Sequence, residues 1–282
     1  MKTGLLLEGG AMRGLYTAGV LDVFMKNNIS VDGIMGVSAG ALFGMNYKSK
    51  QPGRVLRYNK KYATNKEYMG LYPLLKTGNI MNKEFCFNRI VNELDPVDFD
   101  TYKNSKEKFY AVVTNIETGK AEYIEIDDLR EEKQMEYLRA SGSMPFESKP
   151  VCINNKRYLD GGIADSIPID KIMDMGYDRV IVILTRPEDY RKKKSNTFIP
   201  KVYYRQYPDL ISAINNRYLI YNQQLEKVNK LEKEKKIFVI RPSRFVDIKR
   251  IERNIEKIQE MYDLGQEDAV GNLVSMLEYL KL

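Results

Sequence analysis

Val31-Asp32-Gly33-Ile34-Met35-Gly36-Val37 runs without interruption into Ser38-Ala39-Gly40-Ala41-Leu42-Phe43-Gly44-Met45, and this stretch decides how the chain is read. The apolar first half suits a strand, and the small residues of the second half suit a helix that packs closely. At the join stands Gly36-Val37-Ser38-Ala39-Gly40, a G-x-S-x-G pentapeptide. A strand-to-helix turn of this kind holds a serine hydroxyl exposed for nucleophilic attack. The pentapeptide by itself also fits a structural glycine turn, so the remaining sequence has to supply a base.

No histidine occurs among the 282 residues, which excludes the usual serine-histidine-carboxylate triad. The replacement the sequence offers is Asp160, in Tyr158-Leu159-Asp160-Gly161-Gly162, where Gly161 and Gly162 allow a tight turn that leaves the carboxylate unobstructed. A Ser-Lys pair is the rival, although no lysine adjoins these motifs. In isolation Asp160 would read as a turn residue, and Ser141 and Ser143 read as helix-end or turn residues. A third glycine segment, Gly9-Gly10-Ala11-Met12-Arg13-Gly14, follows the apolar run Leu5-Leu6-Leu7. Exposed amides of such a turn cradle either a phosphate or a developing oxyanion. The nucleotide reading lacks both the Gly-Lys-Ser/Thr of a P-loop and the third glycine of G-x-G-x-x-G, because Ala11 stands there. The oxyanion reading asks only for amides near Gly10, Ala11 and Met12, with Arg13 adding positive potential or forming a structural ion pair. Ala11 serves it provided its φ stays negative.

Outward from these motifs the pattern is strand, glycine turn, helix, then strand, serine turn, helix. Phe109–Thr114 and Ala121–Ile126 read as strands around the turn 117–120, and Arg179–Thr185 as a strand buried on both faces. This is an α/β core over residues 1–187, whose sheet also has a claim on residues 237–241. Residues 188–282 read as a mostly helical C-terminal region: a long helix over Asp209–Lys236, the short strand Ile237–Ile240, and terminal helices over Ile248–Tyr262 and Gln266–Leu280.

Net charge is +7 with a pI near 9.0, which implies weak attraction to anionic surfaces without choosing among them. The basic residues alternate with glutamate and form no nucleic-acid module, so no nucleic acid is expected as partner. Cys86 and Cys152 are far apart with no histidine near them, and neither a metal site nor a disulfide framework is expected; Cys152 reads as a buried strand residue. Without a signal-like h-region or an apolar stretch of bilayer length, the expected location is cytoplasmic, with any membrane contact peripheral. Lys192, Lys193 and Lys194 with Tyr203 and Tyr204 are candidates for a membrane-facing or lid region over Ser38. Oligomeric state is not written in these motifs.

Taken together and in order, the segments at Gly9–Gly14, Gly36–Gly40 and Asp160–Gly162 resemble the signature blocks of the patatin-like phospholipase family. Ala140-Ser141-Gly142-Ser143-Met144-Pro145 resembles the segment that precedes the family's catalytic aspartate. The resemblance covers roughly residues 3–187. It implies a three-layer α/β/α sheet, catalytic Ser38 and Asp160, an oxyanion hole from the Gly9–Gly14 loop, and hydrolysis of lipid acyl esters without cofactor or metal. Ala11 departs from the glycine many members carry. A catalytically inactive, membrane-binding module of the same fold is the alternative.

Overall fold

Leu5, Leu6 and Leu7 are all fully buried, with Leu5 and Leu7 in one apolar cluster and Leu6 in another, as the two-residue period of a strand buried on both faces requires. The computed structural model describes residues 1–196 and 198–281. Its sheet comprises β1 (Thr3–Leu7), β2 (Gly33–Val37), β3 (Lys108–Asn115), β4 (Ala121–Glu125), β5 (Val151–Ile153), β6 (Lys156–Asp160), β7 (Arg179–Ile183) and β8 (Phe238–Ile240). The order is β5-β6-β3-β2-β1-β7-β8, with β4 also paired to β3. Strands β3, β2, β1, β7 and β8 are mutually parallel, whereas β4 and β6 run antiparallel to β3.

Helices cover both faces and make the arrangement α/β/α. On the Leu5/Leu7 face lie the helices Gly14–Lys26, Ala39–Lys48, Glu132–Ser141 and Ile255–Lys281; on the Leu6 face lie Ile169–Asp174 and Pro208–Lys233. β8 adds to the sheet through Val182↔Val239 beside β7, so the C-terminal region contributes both a strand and helices to this one layered body.

Two sequence expectations are corrected. Residues 255–281 form one helix rather than two, and 248–254 stay outside it. Gly265, which reads as a break, lies against the Gly14–Lys26 helix: a Cβ there would stand 2.1 Å from the Tyr16 carbonyl oxygen, and one on Gly19 would stand 2.1 Å from that of Tyr262. The glycines permit close helix approach. Tyr16 then donates to Asp268 (3.0 Å) and Tyr262 donates to Asp22, tying the terminal helix to the core. Cys152, expected to be buried, is exposed on β5, because its neighbours Val151 and Ile153 take the inward face. Among the described residues no helix is long and apolar enough to cross a membrane.

Candidate active site

The sheet register explains why residues 38 and 160 meet. Val37, the last residue of β2, pairs with Val112, while Asp160, the last of β6, pairs with Val113. Val113 and Thr114 face β4 on one edge of β3, so β6 occupies the other edge, in line with the end of β2. Two strands running in opposite directions thus end head to head, each delivering its C-terminal residue to the same point. The carboxylate and the hydroxyl share one cleft, and the Ser38 hydroxyl is near enough to count among the influences that hold the Asp160 carboxyl down.

Ser38 adopts φ +54° and ψ −123°, a strained backbone for a residue with a Cβ. Three contacts hold it there. Its carbonyl accepts from Ala41 (2.9 Å) and Leu42 (3.0 Å), and its N–H donates to Ser141 Oγ at 3.0 Å. Ser141 Oγ in turn donates to the Val112 carbonyl at 2.7 Å. Ser141, the last residue of the Glu132–Ser141 helix, is therefore more than a helix end: it anchors the elbow to β3. Gly36 and Gly40 let the following helix close onto the sheet, since a Cβ on Gly40 would lie 2.4 Å from the Leu7 carbonyl oxygen.

Asp160 is 4% exposed. Its Oδ1 accepts from the Gly162 N–H at 2.8 Å, and its own N–H donates to the Ser143 carbonyl at 2.8 Å. Burial raises its pKa above the usual carboxylate range, opposed by the positive charge of Arg217, the Ser38 hydroxyl and the Gly162 amide. A base for an alcohol benefits from that rise. Gly161 fits only without a side chain, its Cβ position lying 2.2 Å from the Val112 carbonyl oxygen.

The Gly9–Gly14 loop lies over the serine. A Cβ on Gly9 would stand 2.8 Å from that of Ser38. Ala11 takes φ +50°, contrary to the negative φ its amide was expected to need, at a cost of about 1–2 kcal/mol for a residue with a side chain. The Met12 amide, counted in the sequence as a donor, points to the Arg250 carbonyl at 3.4 Å. Gly14 receives the elbow helix, its Cβ position lying 2.9 Å from Ala39 Cβ. Glu8, 3% exposed, fixes the loop from below: it accepts from the Thr185 N–H (2.6 Å) and from Tyr221 Oη (2.7 Å).

Ser38 opens on two spaces. One, of about 940 Å³, is apolar, with Leu42, Phe43, Met45, Met135 and Leu138 among its walls. The other, of about 570 Å³, holds Glu8, Asp160, Arg13, Arg186, Lys192 and Arg217. Arg217 and Tyr221 escaped the sequence reading. One signal was available: Leu210, Ile214, Tyr221, Leu225 and Val228 form the buried stripe of the Pro208–Lys233 helix, and Arg217 fills the gap in it. The lid hypothesis is also corrected. Lys192 turns inward, with Nζ 4.4 Å from the Tyr221 ring centroid, and Tyr204 is buried under Phe146, whereas Lys193, Lys194 and Tyr203 remain outside.

Residues 207–281 match a domain of unknown function, DUF6363. The uncharacterised Escherichia coli protein YjjU is 25% identical over 278 residues, which span 94% of this chain and 75% of YjjU. The probable lipid hydrolase 463L of invertebrate iridescent virus 6 is 23% identical, over 82% of this chain and 89% of its own length. The lysophospholipase nte1 of Aspergillus niger is 28% identical over 64% of this chain, a match that spans only 12% of that protein. Among solved structures, VipD from Legionella pneumophila superposes with a TM-score of 0.47 at 14% identity, over 97% of this chain and 67% of VipD. The patatin-like phospholipase profile matches residues 5–173, from β1 to beyond Asp160; by that match, over more than half its length, the chain belongs to the patatin-like phospholipase family.

Proposed function

We propose that this chain is a serine acyl hydrolase of lipid esters, of phospholipase A or lysophospholipase type, working through Ser38 and Asp160. Ser38 Oγ attacks the ester carbonyl carbon while its proton passes to Asp160. The new oxyanion is held by the Gly10 and Ala11 amides, which have no protein acceptor among the described residues; the positive φ of Ala11, against the sequence expectation, leaves its N–H free of any protein acceptor. Collapse breaks the carbon–oxygen bond to the alcohol, which leaves with the proton from Asp160. Water then attacks the acyl-enzyme by the same route and releases the fatty acid. The observation that carries this reading is the meeting of Ser38 and Asp160 at adjacent β3 positions, at the mouth of a cleft with predominantly apolar walls.

Ser38→Ala and Asp160→Asn should each lower hydrolysis of lysophosphatidylcholine by at least about 10³-fold with secondary structure unchanged. Retained turnover in either sinks the reading. Lys192, pushed down to about 7 by burial beside Arg217, Arg13 and Arg186, revives the Ser-Lys alternative. Its Nζ lies 4.4 Å from the Tyr221 ring centroid, and the Ser38 hydroxyl is among the influences acting on the Asp160 carboxyl, which favours the aspartate as the base. Lys192→Met should therefore leave measurable turnover, whereas a lysine base would give none.

Contact with a lipid surface fits two groups of exposed apolar side chains. Leu71 and Leu75 are 66% and 79% exposed, and Phe198, Val202 and Tyr203 stand 59–70% exposed. The two groups are linked through the cleft's edge: Phe146 stacks on Tyr203 (ring centroids 5.6 Å), and the Ile80 N–H donates to the Glu147 carbonyl (2.7 Å). Leu75→Asp with Val202→Asp should abolish sedimentation with anionic phospholipid vesicles, and unchanged sedimentation would remove this surface from the proposal.

A further inference from the structure

We infer that the polar half of the cleft is a phosphate-binding subsite for the alcohol half of the substrate, completed by side chains from outside the patatin-like segment. The inference rests on the hydrolase reading, which sends the acyl chain to the apolar side and leaves the alcohol oxygen on the side where Asp160 returns its proton.

Four cations, Arg13, Arg186, Lys192 and Arg217, enter a space of about 570 Å³ beside Ser38. Among the described residues none of them has a carboxylate within ion-pair distance, while the fifth nearby cation, Arg250, is paired with Glu147 at 3.0 Å. The two carboxylates of the cleft are already engaged: Glu8 by Thr185 and Tyr221, Asp160 by the Gly162 amide. The cations outnumber the carboxylates, which leaves a net positive charge for an anion such as a phosphate monoester to meet. Arg13 Nε is buried with no acceptor, an arrangement whose desolvation cost an incoming anion would offset.

The cations are aimed without being neutralised. The Arg186 guanidinium lies 4.4 Å from the Tyr190 ring centroid and Lys192 Nζ lies 4.4 Å from that of Tyr221, and the two rings meet edge to face at 5.9 Å. Aromatic faces orient a cation and keep its charge available. The strap bearing Lys192 is pinned by reciprocal hydrogen bonds with Asn222, at 2.9 and 3.1 Å. Mutual repulsion is recorded in the titration of the group: burial first, then Arg186, pushes Arg13 down to about 10. Guanidinium forks at fixed angles match phosphate oxygens better than they match a neutral alcohol. Arg217 and Tyr221 lie on the Pro208–Lys233 helix, so the segment matching a domain of unknown function acquires a role, supplying one of the four cations and the ring that Lys192 faces.

The test is calorimetric titration of the full-length Ser38→Ala protein, in which binding is read without turnover. Its arms are sn-glycerol 3-phosphate, inorganic phosphate and glycerol. Glycerol 3-phosphate should bind saturably and at least tenfold more tightly than inorganic phosphate, and glycerol should not bind. Arg186→Gln in that background should weaken glycerol 3-phosphate at least tenfold, and Lys106→Gln, the same charge change at an exposed residue just before β3, less than twofold. If Arg186→Gln lacks a cooperative thermal transition, Arg217→Gln carries the same expectation. No saturable binding, equal affinity for inorganic phosphate, or indifference to both substitutions overturns the inference. Failure of the hydrolase reading is seen separately, as wild-type protein that binds glycerol 3-phosphate yet cleaves no acyl ester.

Discussion

The two sides of Ser38 are built from opposite materials. Leu42, Phe43 and Leu138 line one, and Arg13, Arg186 and Arg217 line the other. The apolar wall comes from helices within the patatin-like span, whereas Arg186 and Arg217 lie beyond it. The contrast teaches that position along the chain and position around Ser38 are linked: the patatin-like span lines the apolar space, later residues join Arg13 in lining the charged one, and the serine sits where the two surfaces abut. An ester of a phosphorylated alcohol has the same division about its carbonyl.

The most severe way to break the contrast is to fill its apolar side. Leu42→Trp places an indole four residues after the nucleophile, and excluding about four methylenes forfeits roughly 3 kcal/mol of burial, or about 10²-fold. The kcat/KM ratio of a long-chain to a short-chain acyl ester should fall by that factor; an unchanged ratio would show that the acyl chain lies elsewhere. A substitution at the divide should instead treat both sides alike. Ser141→Ala leaves the Ser38 N–H and the Val112 carbonyl without their shared partner. Stability should drop by about 2 kcal/mol in urea titration. Turnover should fall about tenfold for charged and neutral esters equally, whereas a loss confined to one class would mean that Ser141 serves that side only.

What the sequence disclosed follows the same line. Ser38, Asp160 and the glycine loop were legible because their requirements are local: a strained turn, a glycine beside it, an apolar run before it. β8 was legible from a four-residue apolar run, and its place next to β7 follows from burial. Ser141 lay inside a block that resembled the family's, yet its task depends on a hydrogen bond spanning 103 positions, which no local pattern expresses. Arg186, Lys192 and Arg217 were harder still. A cation in a polar loop or on a helix reads as solvated until the fold closes around it, and only Arg217's place within a buried stripe marked it as unusual.

The charged side also sets the pH behaviour of the base. Burial raises Asp160 and Arg217 is the largest influence holding it down, so the carboxyl ionises at a higher pH than an ordinary carboxylate, and under the proposed mechanism only the ionised form accepts the serine proton. The acid limb of kcat/KM should accordingly lie above the usual carboxylate range. Arg217→Met removes the opposing charge and should move that limb to higher pH, costing a few-fold in activity under mildly acidic conditions. A limb that stays in place or moves down would separate Arg217 from the base electrostatically, and the two sides of the cleft would be less coupled than their shared wall suggests.

The smallest effect is expected where the two spaces touch. Ala11 lines both of them and holds φ +50°, so its methyl is strained and also part of the partition. Ala11→Gly relieves about 1–2 kcal/mol of backbone strain but gives back about 0.5–1 kcal/mol in unfolded-chain entropy. A net gain of about 0.5–1 kcal/mol remains, or a thermal midpoint about 2 °C higher. The long-chain to short-chain ratio should change less than twofold, because the methyl borders the cleft without filling it. A lower midpoint would mean that the methyl contributes more by packing than it costs in strain, making the alanine a built partition between tail and charge instead of a tolerated departure from glycine.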